Sequence, residues 1–174
     1  MMDPRYRDVK KRQIPEVSTS EGARIKIICG EVKGAKGPVR DIITDPEYLD
    51  VTVPAGSKLI HSTKLGYTVF AYVIEGKGYF YREKNPFTYE MEGANYFDIE
   101  RNPFLINGNL VLFGDGEQIV ISAEDEPVRF LLISGKPLHE PVAWYGPIVM
   151  NTKEELKIAF EEYDNGTFIK HKKV

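Results

Sequence analysis

Cysteine and histidine are scarce in this chain, and their scarcity excludes several chemistries. A single cysteine, Cys29, rules out an intramolecular disulfide and a thiolate zinc cluster. It lies in the apolar run "RIKIICG", where a buried, inert thiol is expected. The only histidines are His61, His139 and His171, widely spaced along the chain, so nitrogen donors for a metal centre are few. Net charge is small as well. With 23 basic and 26 acidic residues the chain carries −3 at pH 7, and no general field draws it to nucleic acid or an anionic membrane. The basic stretches "KKR" at 10–12 and "IKHKKV" at the end read as solvated ends. No apolar run approaches the length of a membrane span, and "MMDPRYRDVKKRQIP" lacks the apolar core of a signal peptide. A cytoplasmic protein with no direct nucleic-acid or membrane partner is expected. There is no G-x-S-x-G elbow, and "GEVKGAKG" has neither Walker spacing nor a following helix. That stretch reads as a loop between strands.

The 174 residues, 42% hydrophobic and 28% charged, suit one domain with a sizeable core. Residues 1–22 read as an extended arm, because Pro4 and Pro15 remove backbone donors and "STSEG" is turn chemistry. From Arg24 onward short β-rich runs follow one another between Gly, Pro, Asn and Asp: "RIKIICG", "VRDII", "EYLDVTV", "TVFAYVI", "YFY", "LVLF", "QIVISA" and "RFLLIS". So many short strands at close spacing predict an all-β sandwich or barrel over 23–150. The aromatic-rich stretch 82–108 reads as an insertion in which "TYEME" and "YFDIE" form a hairpin, either a satellite core or a partner surface. In 151–174 the period changes. Leu156, Ala159, Phe160 and Tyr163 recur at helical spacing behind a Thr152/Glu155 capping box, and Gly166 can supply the stop. One amphipathic C-terminal helix and a basic tail are expected there.

"PRYRD" at 4–8, "GEVKGAKGPV" at 30–39, "YLDVTVPAGS" at 48–57, "GYTVFAYVIEGKG" at 66–78 and "SGKPLHEPVAWYGPIVMNTKEEL" at 134–156 together resemble the C-terminal half of pirin-family proteins. The resemblance implies a single cupin-type (jelly-roll) β-barrel. Pirins are bicupins whose first barrel holds a non-haem iron and whose second usually holds none. Some resemble quercetin dioxygenases in activity, and others are partners of transcription factors. No segment here matches the first-barrel motif of three histidines and a glutamate.

A cupin metal site needs imidazoles and a carboxylate converging inside the barrel. Laying the usual His-x-His and Glu spacing against "YVIEG" puts Thr63, Leu65 and Val69 at the ligand positions. The third histidine position falls near Asp125, in an acidic turn. The expected reading is therefore a metal-free binding or assembly module without a cofactor. Its partner would be a second copy, forming a homodimer, or a pirin N-terminal-type cupin subunit. One alternative is a cupin dioxygenase or isomerase using His61 with Glu75 or Glu124 and iron or another divalent metal. The other is a barrel binding a small apolar ligand. His61, Tyr67 and Tyr72 are the candidate pocket residues, with Trp144, Leu156, Phe160 and Tyr163 packing at the C-terminal end.

Overall fold

The computed structural model describes residues 6–82 and 102–170. Its strands, in chain order, are β1 (Glu16–Ser18), β2 (Arg24–Cys29), β3 (Glu31–Val32), β4 (Ala35–Lys36), β5 (Glu47–Val53), β6 (Lys58–Ser62), β7 (Thr68–Gly78), β8 (Leu105–Ile106), β9 (Leu110–Leu112), β10 (Gln118–Ser122), β11 (Val128–Gly135), β12 (Ala143–Tyr145) and β13 (Ile148–Met150). One helix, α1 (Lys153–Asp164), follows. Among the described residues no helix is long and apolar enough to cross a membrane. The chain divides into two compact units, Met1–Pro137 and Leu138–Val174. Residues 138–150, which the sequence reading placed with the barrel, group with the helix.

The first unit is a β-barrel of two facing sheets. The larger runs β1-β2-β5-β11-β7-β8, with β9 also on β7, and the smaller pairs β10 with β6. Tyr79, just past β7, exchanges backbone hydrogen bonds with Ser122 of β10 at 2.8 and 2.9 Å, joining the two sheets. Period-two alternation fills the space between them. Leu49, Val51 and Val53 of β5, Val69, Ala71 and Val73 of β7, Ile119 and Ile121 of β10, and Phe130 and Leu132 of β11 are all buried in one core. Each fully buried valine, leucine, isoleucine or phenylalanine among them stabilises the fold by about 1.5–3 kcal/mol. Phe80 packs edge-on against Phe130 with ring centroids 5.1 Å apart. Gly76, at φ 72°, is opposite Val128, beside the point where β7 and β11 slip register between Arg129 and Phe130. A Cβ there would sit 1.9 Å from the Pro127 carbonyl oxygen, so glycine is required.

Two local expectations change. "VRDII" is a loop held by a single bridge between Val39 and Cys29, because Asp41 at φ 60° turns the chain out of extended geometry. "KLIHS", which the sequence reading left outside the strands, is β6, with Leu59 and His61 inward and Lys58, Ile60 and Ser62 outward. The arm supplies one edge strand, β1, on β2. The hairpin expected within the insertion falls mainly on 83–101, outside the described residues.

The second unit is a β12–β13 hairpin with α1 beside it. The expected capping box is present: Glu155 N–H donates to Thr152 Oγ1 at 3.1 Å, and Thr152 N–H donates to Glu155 Oε2 at 3.0 Å. Ala159 is buried, Leu156 and Phe160 are half-buried, and Phe160 meets Tyr145 edge-on at 5.5 Å. Trp144 and Tyr163, expected to pack here, are 73% and 63% exposed. Trp144 pairs across the hairpin with Val149, away from buried Ile148, and its indole N–H donates to the Gly146 carbonyl at 2.7 Å.

Candidate functional site

The apolar alternation fails at one end of the barrel. Cys29 at the end of β2, Glu47 at the start of β5, His61 in β6 and Ser134 in β11 continue the inward-facing positions of strands that are otherwise aliphatic there. His61 is buried, and its Nε2 lies 2.6 Å from Glu47 Oε2. A carboxylate oxygen accepts, so in this pair Nε2–H is the donor. Burial raises the Cys29 thiol pKa, the inert state for a thiol.

Outside this end lies a cavity of about 700 Å³, walled by the loop from Gly30 to Pro46 and by Thr63, Lys64 and Tyr67. A tight turn between β6 and β7 sets Lys64 and Tyr67 on one side, with Tyr67 N–H donating to the Lys64 carbonyl at 3.1 Å. Asp45 accepts from Lys64 Nζ at 2.5 Å and from the Tyr67 hydroxyl at 2.9 Å. The Lys64 hydrogen bond, then that of Tyr67, holds the Asp45 carboxyl below the usual aspartate range. The same carboxylate pushes Lys64 and Tyr67 upward. Neighbouring cations have partners too: Lys36 lies 3.3 Å from the Glu31 carboxylate, and Lys33 donates to the neutral Ser18 carbonyl at 2.9 Å. The cavity is polar and its formal charges largely answer one another.

The structure brings together only part of the expected pocket. His61 is at the barrel end and Tyr67 lines the cavity, but Tyr72 lies on the opposite face of β7 from Val69, Ala71 and Val73 and points away from the interior. Alternation forces this, since Tyr72 is one residue out of phase with the inward set. Glu75 and Glu124 are not near His61. His61 is opposite Ile119, five residues before Glu124, and Glu75 is opposite Arg129, five residues from Ser134 on β11. At about 3.3 Å per residue either carboxylate is roughly 16 Å along the barrel. The carboxylate beside His61 is Glu47, which the sequence reading did not single out. It lies two residues before Leu49 in the inward phase of "EYLDVTV", and that phase was the available signal. Of the other histidines, His139 lies in an exposed loop of the second unit, while His171 lies outside the described residues.

The donor set does not fit a cupin iron. Thr63 donates its hydroxyl to the Gly116 carbonyl at 2.7 Å, Leu65 is exposed, and Val69 is part of the core. The acidic turn Glu124-Asp125-Glu126 is exposed, and Asp125 meets Lys77 at 3.6 Å. Among the described residues no three His, Cys, Asp or Glu side chains converge as metal ligands.

Two sheets enclosing one core, with an end cavity between β6 and the 30–46 loop, define a cupin-type barrel. Residues 48–169 match the pirin C-terminal cupin domain, and the chain belongs to the pirin family. It is similar to pirin from Homo sapiens, 32% identical over 95% of this chain and 51% of that protein. A Thermoplasma acidophilum protein provisionally named a quercetin 2,3-dioxygenase is 31% identical over 99% of this chain and 61% of that one. Among solved structures, a quercetin 2,3-dioxygenase from Acinetobacter baumannii superposes with a TM-score of 0.75 at 26% identity, covering 94% of this chain and 50% of that protein. The chain spans about half the length of the curated relatives it matches.

Proposed function

We propose that this chain is a pirin-type barrel that binds rather than catalyses. It is an assembly module, pairing with a second copy of itself or with a separate metal-bearing barrel of pirin type. The observation that supports this reading is the filling of the interior. Among the described residues, aliphatic and phenylalanine side chains make up the core, and the one imidazole beside them is tied to Glu47. The relatives' names point to dioxygenase chemistry, which in this fold needs several converging nitrogen and oxygen donors. The test is elemental analysis of protein purified without a chelating tag. Substoichiometric metal is expected; stoichiometric iron, manganese, nickel or zinc that disappears in His61→Ala would refute the reading.

The cavity favours a second reading, a small-molecule site, since about 700 Å³ lies within the range of ligand pockets. Its charged and hydroxyl lining suits a small polar molecule, where one alternative from the sequence is a small apolar ligand. Such a ligand would raise the melting temperature without added metal.

A further inference from the structure

The outer face of the larger sheet is apolar where a one-sided antiparallel sheet ordinarily presents polar residues to water. Register builds it in two rows. Tyr48 of β5 is opposite Ile133 of β11, Ile133 opposite Phe70 of β7, and Phe70 opposite Leu112 of β9. In the next outward row Asp50 of β5 is opposite Leu131, Leu131 opposite Tyr72 and Tyr72 opposite Leu110, so that row is apolar over β11, β7 and β9. Tyr48 and Tyr72 are 37% and 38% exposed, and Leu110 and Leu112 are 60% and 66% exposed. From ordinary side-chain areas, these four leave on the order of 400 Å² of apolar surface open to water. The smaller sheet behaves differently. Its outer face carries Lys58, Ser62, Gln118 and Ser122 around Ile60 and Val120.

We propose that this face, β5-β11-β7-β9, is the surface on which a second copy of the chain docks. The proposal deepens the assembly reading above and rests on it. Charge identifies the occupant. The ionised groups in and beside the rows are answered within the chain: Arg129 donates to both carboxylate oxygens of Asp50, which stands in the second row, at 2.9 and 2.8 Å, and Lys26 stands 3.7 Å from the same group. A two-fold contact sets every residue against its own face, which a locally neutralised apolar surface tolerates and a charged one does not. A strongly basic or acidic partner would find no counter-charge here. Tyr48, Tyr72, Leu110 and Leu112 alone supply about half of the roughly 800 Å² that each partner buries in a standard interface.

Sedimentation velocity of the full chain across micromolar concentrations tests this. The wild type should reach twice the 19.8 kDa chain mass. Leu112→Lys and the milder Leu110→Ser should each shift it toward monomer, the lysine weakening the dimer by at least ~50-fold. Ile60→Lys, on the other sheet, should leave the dimer intact. Unchanged far-UV circular dichroism and melting temperature show that the variants fold. A monomeric wild type, including one that captures a separate barrel instead, would overturn the proposal; so would a dimer indifferent to both β9 substitutions. A metal-free dimer of the indifferent kind leaves the assembly reading standing. Stoichiometric metal in a Leu112-sensitive dimer overturns that reading and leaves the docking face standing.

Discussion

Replacing Glu47 by leucine strands the imidazole of His61, and the cost of doing so measures what the pair contributes. The two groups meet at 2.6 Å, with the His61 side chain 10% exposed and that of Glu47 19% exposed. A buried polar group left without its partner costs about 1–3 kcal/mol. Water reaches Glu47 more readily than His61, so His61→Leu should cost about 1 kcal/mol and Glu47→Leu about 2 kcal/mol. The double variant loses one hydrogen bond and gains apolar burial of comparable size, leaving a net loss of at most about 1 kcal/mol. The four proteins therefore form a cycle with a coupling of about 2 kcal/mol. Equilibrium urea denaturation, with slopes compared across the set, reads it directly. Losses that simply add would show that the imidazole and carboxylate are not paired in solution, and the account of the barrel end would fail with them.

Asp50 links stability to acid. Hydrogen bonding from Arg129 holds its carboxyl below the ordinary aspartate value. Its contribution is thus complete above about pH 4 and is lost as pH falls through the lower folded-state value. The stability difference between wild type and Asp50→Asn should be constant near neutrality and shrink in acid, and a difference unchanged down to pH 2 would contradict this. Beside the β7 bulge, Gly76→Ala forces a Cβ against the Pro127 oxygen at φ 72° and should cost about 3 kcal/mol or more, a melting shift of roughly 6–12 °C. Gly34→Ala, at φ 80° with nothing within 4 Å, should cost only about 1 kcal/mol. Equal melting temperatures for the two variants would show that the close approach is absent.

Much of the fold was legible because local rules carry it. Alternation in "EYLDVTV", "QIVISA" and "RFLLIS" marks strands β5, β10 and β11 at nearly their observed bounds, and Thr152 with Glu155 marks the start of α1. The same rules read "VRDII" as a strand, since the left-handed turn at Asp41 leaves no trace in hydrophobicity. They passed over "KLIHS", whose polar ends mask a buried Leu59/His61 phase. Tyr72 is expected from the sequence to line the barrel mouth with Tyr67, and its place out of phase with Val69, Ala71 and Val73 on β7 turns it outward.

Composition and period settle which side chains can face a barrel interior, and here they leave that interior largely apolar with one imidazole. Which groups meet is a different matter. Glu47 and His61 are 14 residues apart, Asp45 and Tyr67 are 22 apart, and the outer apolar rows draw on four strands. Those meetings depend on strand order and register, which are set by the whole barrel closing at once and are not written in any local stretch of the chain.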